Sequence, residues 1–236
     1  MTMTVRRILV AGATGAIGRV LCRLLRADSH VVFGTTRVAS KAAALEQLGV
    51  APLVVDVYDA AALQAATIGA RPEVVIHQLT DLPAVLDPTR RSEMLARNAR
   101  LREVGTRNLV AAAVASGAGR MIAQSIAFAY APGPLPHDES SPLAPEALAV
   151  ASLERQVLAG PFDGLVLRYG RLYGPGTWFA TRDGTAPVHV DAAADAARRA
   201  VSAGSPGVYN IAENNGTVRV DKAIEELGWD PAFRLG

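Results

Sequence analysis

The chain has 236 residues, half of them hydrophobic, one cysteine and a formal net charge of +2. That is apolar material for one sizeable core, with or without a small appendage. Scattered basic residues leave no footprint for nucleic acid, a lone Cys22 excludes an internal disulfide, and no apolar run approaches a membrane span. The first apolar run starts at residue 8 and leads into glycines, so it does not read as a signal peptide. The expectation is a soluble, cytoplasmic protein with no membrane or nucleic-acid partner and no metal site.

That first run, Ile8-Leu9-Val10-Ala11, ends in Gly12-Ala13-Thr14-Gly15-Ala16-Ile17-Gly18. The spacing G-x-x-G-x-x-G between an apolar run and an amphipathic stretch reads as strand, tight turn and helix start. The first glycine permits the turn, the second lets backbone approach a pyrophosphate, and the third lets helix pack on strand. Ile17, Val20, Leu21, Leu24 and Leu25 share one helical face. A second strand near residues 30–34 completes a βαβ unit, and the diphosphate would sit on free N–H groups at the helix front.

At the exit of strand 2, where NAD-preferring proteins usually carry an acidic side chain, stands Arg37, with Lys41 after it. A guanidinium suits a 2′-phosphate; the plainer reading is a solvated surface arginine. NADP is therefore the expected cofactor, with NAD as the alternative. Residues 41–48 read as a short helix and 52–57 as strand 3. Asp56 at its exit can accept from an adenine amino group beside a Val57 backbone contact, or simply cap the next helix. Residues 73–79 read as strand 4. Ligands of open α/β sheets lie beyond such strand ends, which places Gln78, Leu79 and Thr80 toward the cofactor. His77, inside the strand, reads as a hydrogen-bonded core histidine.

Residues 90–116 read as one long helix with Leu95, Leu101, Val104, Leu109, Val110, Ala113 and Val114 inward, and 120–125 as strand 5. A loop with five prolines between Pro132 and Pro145 follows, which neither helix nor central strand can accommodate. A helix from Pro145 or Glu146 to Leu158 and strand 6 at 164–168 come next. Then come a short extended piece at 188–190, an alanine-rich helix at 192–203 capped by Asp191, a strand at 207–211, and a last helix capped by Asp221 and stopped by Gly228. Alternating strands and helices imply an α/β, Rossmann-type doubly wound parallel sheet.

Several pieces, in order, resemble the extended short-chain dehydrogenase/reductase superfamily, the NAD(P)-dependent epimerase/dehydratase group. They are Gly12 to Gly18; Asp56-Val57; Gly105-Thr106-Arg107-Asn108-Leu109; Gln124-Ser125 to Tyr130; Leu167-Arg168 through Tyr173-Gly174-Pro175-Gly176; His189-Val190-Asp191; Val208 to Ile211; and Leu227 to Pro231. The resemblance implies a dinucleotide-binding domain over residues 1–175. It also implies a small, truncated C-terminal substrate lobe over 176–236, interleaved into one unit. It adds Tyr169, Gly170 and Arg171 to the cofactor residues, and makes Ser125 a strand-end serine that touches cofactor and bonds a substrate oxygen. A homodimer through a four-helix bundle is also implied, built from the helices at 90–116 and 146–158.

The family's catalytic Tyr and the Lys four residues later are missing. Glu146 and Val150 stand in their places if Glu154 matches a later family glutamate. No Tyr lies between Tyr130 and Tyr169, and no Lys between Lys41 and Lys222. The catalytic candidates are then Ser125 and Tyr130, with His137, Asp138 and Glu139 as further acid/base groups in the proline-rich loop. Two functions remain open: an NAD(P)-dependent oxidoreductase or epimerase-like enzyme acting on a small polar or sugar-like substrate, and a catalytically degenerate NADP(H)-binding sensor or scaffold.

Overall fold

A computed structural model describes residues 4–83, 85–213 and 216–235. Residues 1–3 and 236, at the two ends of the expected domain division, lie outside the described residues, as do 84, 214 and 215. Seven strands form one parallel sheet: β1 (Arg7–Ala11), β2 (Val31–Thr36), β3 (Ala51–Val54), β4 (Val74–His77), β5 (Arg120–Ile126), β6 (Asp163–Tyr169) and β9 (Gly207–Ile211). Their order across the sheet is β3-β2-β1-β4-β5-β6-β9. A second ladder pairs β7 (Arg171–Tyr173) with β8 (Pro187–His189). The central strands are apolar without interruption because both faces are covered: Ile8, Leu9 and Val10 are wholly buried, as are Val74, Val75 and Ile76.

Strand order reverses at β1, with β2 added on one side and β4 on the other, both parallel to it. That switch opens a crevice at the carboxyl end of the sheet, where such folds hold ligands. Helices α1 (Ala16–Ala27) and α7 (Val190–Arg199) pack together on one face. On the other, α5 (Thr106–Ala115) packs against both α3 (Ala60–Ala70) and α6 (Leu148–Leu158). Five of the ten residues of α7 are buried alanines at 192, 193, 194, 196 and 197, which lets it lie close to α1. Residues beyond 176 thus return to the main body: α7 covers α1, and β9 pairs with β6.

Several boundaries differ from the sequence reading. The long helix is α4 (Arg91–Arg100), a π-helical turn at Leu101–Gly105, and α5. The extra residue of a π turn shifts the helical face, so a stripe drawn straight through it fails: Leu95 and Val114 are exposed. The cap before α3 is Asp59, whose side chain accepts from Ala62 N, while Asp56 accepts from Tyr58 N. Helix α7 is capped by His189 rather than Asp191, and α8 (Asp221–Leu227) by Val220 rather than Asp221. Gly228 stops α8 in the left-handed region, as its position implies.

His77 is fully buried and hydrogen-bonded. Its Nδ1 accepts from Leu79 N at 3.2 Å, so its proton sits on Nε2 and donates to Thr106 Oγ1 at 3.0 Å. The ring thereby fixes the backbone where β4 leaves the sheet. Burial, with a smaller push from the Arg102 charge, pulls its pKa from 6.5 down to about 4. The unfolded chain takes up this proton near pH 6.5 and the folded chain near pH 4. Stability is therefore fully present above that window and is lost as pH falls through it. Denaturant titrations at pH 7.5 and pH 5 are expected to differ by ~2 kcal/mol more in the wild type than in His77→Gln; equal differences would remove His77 from the acid response.

Candidate active site at the carboxyl edge of the sheet

The glycine turn is built by backbone crossings that side chains would block. Gly12 has φ +90°, and a Cβ there would lie 2.6 Å from the Gln78 carbonyl oxygen. A Cβ at Gly18 would overlap the Gly12 carbonyl oxygen, so α1 reaches the strand only because that position is glycine. Gly15 N donates to Gly12 O at 3.0 Å, and Gly12 N to Thr35 Oγ1 at 3.3 Å. Gly15 opens α1 with no side-chain cap, and no acidic residue stands in its first turn. Ala13 and Ile17 are buried in the core while Thr14 and Ala16 are half-buried. This stretch therefore offers a ligand backbone amides and the positive end of a helix dipole, which suits a diphosphate.

The floor of the crevice is polar and partly unpaired. Gln78 Nε2 donates to the Tyr169 hydroxyl at 3.1 Å, yet Gln78 Oε1 is buried with no partner. A buried lone acceptor at a strand end fits a ligand group. Gln124 Nε2 holds Leu79 O at 3.1 Å, Thr80 is exposed beside it, and Gly170 runs so close to Ala186 that only a glycine fits. Arg171 is exposed, lies 5.5 Å from the Phe179 ring centre and pairs loosely with Asp183 at 3.9 Å. Gly176 lies against Ala16 and Arg19 of α1, and two residues on Trp178 Nε1 donates to Pro83 O at 2.9 Å. The segment after β7 therefore spans from the front of α1 to the loop after β4.

At the other end, Arg37 is exposed at the exit of β2, and Lys41 is exposed nearby. Arg37 Nη2 lies 3.4 Å from Asp81 Oδ1, and the same carboxylate binds Arg97 more closely. Asp56 is exposed, and Val57 O accepts from Asn108 Nδ2 at 2.9 Å. Neither Arg97 nor Trp178 sits in a motif, and each bonds a segment distant in sequence, so neither contact was legible.

The two catalytic candidates are both hydrogen-bonded inside the protein. Ser125 is buried beneath α6 and its Oγ donates to Glu154 Oε1 at 2.6 Å. The reason is strand parity: Met121, Ala123 and Ser125 share the α5/α6 face, while Ile122 faces α1. Glu154 also takes two bonds from Arg168, 2.9 Å from Nε and 2.7 Å from Nη2, in a pair that is almost wholly buried. Arg168 Nη1 donates to the Tyr130 hydroxyl at 2.9 Å, which donates in turn to Asn210 Oδ1 at 2.6 Å. Burial raises the Tyr130 pKa against the pull of Arg168. Both hydroxyls thus belong to one buried lattice.

The loop groups are fixed the same way. His137 stacks on Tyr130 with ring centres 4.9 Å apart, Asp138 accepts from Ser140 and Ser141, and Glu139 accepts from Asn210 N at 2.9 Å. Glu146 is exposed in the turn before α6, which starts at Leu148 rather than at Pro145 or Glu146, and Val150 is buried. Neither can act as a phenol or an ammonium. Exposed apolar side chains surround the strand ends instead: Phe128 after β5, Leu148 at the front of α6, Trp178, and Leu82, Val85 and Leu86 after β4. Among the described residues no cluster of three or more metal-ligating side chains occurs, and no helix is long and apolar enough to cross a membrane.

The fold is shared with solved proteins. It superposes with a TM-score of 0.79 and 20% identity on a Thermotoga maritima UDP-glucose 4-epimerase bound to UDP-glucose, over 96% of this chain and 94% of that one. It superposes at 0.78 and 18% identity on a Streptomyces venezuelae dTDP-glucose 4,6-dehydratase double mutant with NAD bound, over 96% and 92%. In sequence it is 44% identical over 237 aligned positions to a 3-diazoavenalumate denitrifying reductase from a Streptomyces species, covering 88% of this chain and 76% of that protein. The profile of the NAD dependent epimerase/dehydratase family matches residues 8–190. With the glycine turn, the strand order and the open helix front all in place, the chain belongs to the NAD-dependent epimerase/dehydratase family.

Proposed function

We propose that the protein is an NADPH-dependent reductase that needs no proton relay, and that it replaces N2 by hydride on a carboxylate bearing a diazonium group. The observation that carries this is the missing phenol–ammonium pair in a crevice whose cofactor half is intact. A reduced nicotinamide, when bound, supplies a hydride. Reducing a carbonyl also requires a proton at oxygen, and losing a positioned acid typically costs about 10²–10⁴-fold in rate. Replacing a diazonium group forms one C–H bond and breaks one C–N bond. N2 departs with the bonding pair, so the protein moves no proton. The reductase name of the 44% identical relative supports the same chemistry.

In this reading Gly12 to Gly18 hold the diphosphate through backbone amides. Gln78, Leu79, Thr80, Tyr169, Gly170 and Arg171 line the nicotinamide end. Asp56 and Val57 meet the adenine, and Arg37 meets the 2′-phosphate. Phe128, Leu148 and Trp178 receive an apolar substrate body, in place of the small polar or sugar-like substrate the sequence suggests. Ser125 and Tyr130 hold the Glu154–Arg168 pair rather than transfer protons. A homodimer would close on the groove between α5 and α6 lined by Arg107, Val110, Ser152 and Arg155.

With NADPH deuterated on the transferred position and an arenediazonium carboxylate, the product is expected to carry deuterium where N2 left, while aldehydes, ketones and UDP-glucose give no turnover. Turnover of a carbonyl panel, or tight NADPH binding with no diazo reduction, would overturn the reading. Arg37→Ala should weaken NADPH binding by about 10-fold and leave NADH binding unchanged. Equal losses for the two would remove the case for NADP. Light scattering should report twice the chain mass, and Val114→Glu should reduce it to one.

A further inference from the structure

Resting on the NADPH reading above, we infer that Asp81 and Arg97, neither of which sits in the glycine turn or on β2, set the discrimination between NADPH and NADH. Asp81 occupies Arg37 when no 2′-phosphate is present, and Arg97 anchors Asp81 so that Arg37 can leave it.

The geometry of the triad is unequal. Arg97 grips Asp81 with two bonds, Nη2 to Oδ1 at 2.7 Å and Nε to Oδ2 at 3.2 Å. Arg37 reaches it through Nη2 alone, at 3.4 Å, from a side chain that is 57% exposed. The carboxylate itself is largely covered. A two-point guanidinium–carboxylate bond is strong and directional, whereas a long single contact in solvent contributes little. Arg37 is therefore the partner that swings.

The carboxylate is held where it stands. Asp81 N donates to Oδ1 of Asn98, the residue after Arg97, and Asn98 is buried. Helix α4 thus fixes both the backbone and the side chain of Asp81. The Arg97 hydrogen bond is the largest influence keeping the Asp81 carboxyl below its ordinary range, so it stays charged at neutral pH. Close by, the Arg100 guanidinium covers the Tyr58 ring at 4.6 Å. Around Tyr58, Arg37 and Arg100 stand against Asp56 and Asp81.

A 2′-phosphate carries more charge than one carboxylate and has three acceptor oxygens, so it draws Arg37 away from Asp81. While Arg97 holds Asp81, that exchange leaves no carboxylate unpaired. Without Arg97, Asp81 turns fully to Arg37 and competes with the phosphate. Without the Asp81 charge, Arg37 is free before the cofactor arrives. NADH, which has no 2′-phosphate, feels neither change.

Dissociation constants for NADPH and NADH, read by calorimetry on folded protein, test this. Asp81→Asn is expected to tighten NADPH by roughly 3- to 10-fold and to leave NADH within about twofold. Arg97→Gln is expected to weaken NADPH by a similar factor, again sparing NADH. In the double variant the loss of Arg97 should have almost no further effect, because the competitor is gone. Equal shifts for both cofactors, or additive effects in the double variant, would overturn the proposal. Arg97→Gln alters an exposed helix position, so the proposal remains testable if Asp81→Asn fails to fold. If the wild type itself binds NADH as tightly as NADPH, the NADPH reading fails first, and that outcome is separate from a wild-type preference these variants leave unmoved.

Discussion

Backbone touching backbone at the start of α1 is the constraint from which the rest of this protein follows. Gly12 lies against the Gln78 carbonyl group, and Gly18 lies against the Gly12 carbonyl oxygen, closer than any Cβ would allow. These crossings join β1, α1 and the exit of β4 in one knot with no side chain in it. The knot aims the open end of α1 along the switch in strand order, and the positive end of the helix faces the crevice rather than a cap. His77 extends the same constraint to the next strand by holding Leu79 N from below.

What the sequence made legible tracks how local the physics is. The glycine spacing, the buried parallel strands and the Gly228 stop depend on neighbours within a few residues, and they stand where expected. The π turn was hidden because helical periodicity assumes a constant rotation per residue, and one inserted residue breaks it without any marker. The partner of Ser125 was hidden for a different reason. Its motif places it at a strand end, but the two-residue period of β5 sends its side chain toward α6 with Met121 and Ala123. That period is visible in the sequence, but the Glu154 it meets lies twenty-nine residues away. The Asp81–Arg97 contact spans sixteen residues between a loop and a helix, and no periodicity connects them.

The lattice of Ser125, Glu154, Arg168 and Tyr130 holds α6 in place without drawing on the residues at its front. Removing one member of a buried ion pair typically costs about 3–5 kcal/mol, because its partner is left charged without compensation. Glu154 takes two bonds from Arg168 and one from Ser125, and Arg168 also holds the Tyr130 hydroxyl. Each member satisfies another, so the set holds α6 to β5 and β6 through fold energetics alone. Val150, one turn earlier on α6, is buried in the core, and Glu146, in the turn before the helix, is exposed.

That separation bears on what the crevice can do. Orienting a cofactor requires backbone amides, a strand end and a guanidinium, all of which depend on the fold remaining intact. Moving a proton requires a single titratable group aimed at the reacting atom, and here every candidate hydroxyl already has its donor or acceptor inside the protein. On the proposed reading, hydride arrival alone completes the bond changes. The energetic demand then shifts from acid strength to orientation and exclusion of water, because a reactive electrophile must meet hydride before it meets solvent. The proposed reading assigns that exclusion to the Trp178 arch from the front of α1 to Pro83, together with exposed Phe128 and Leu148.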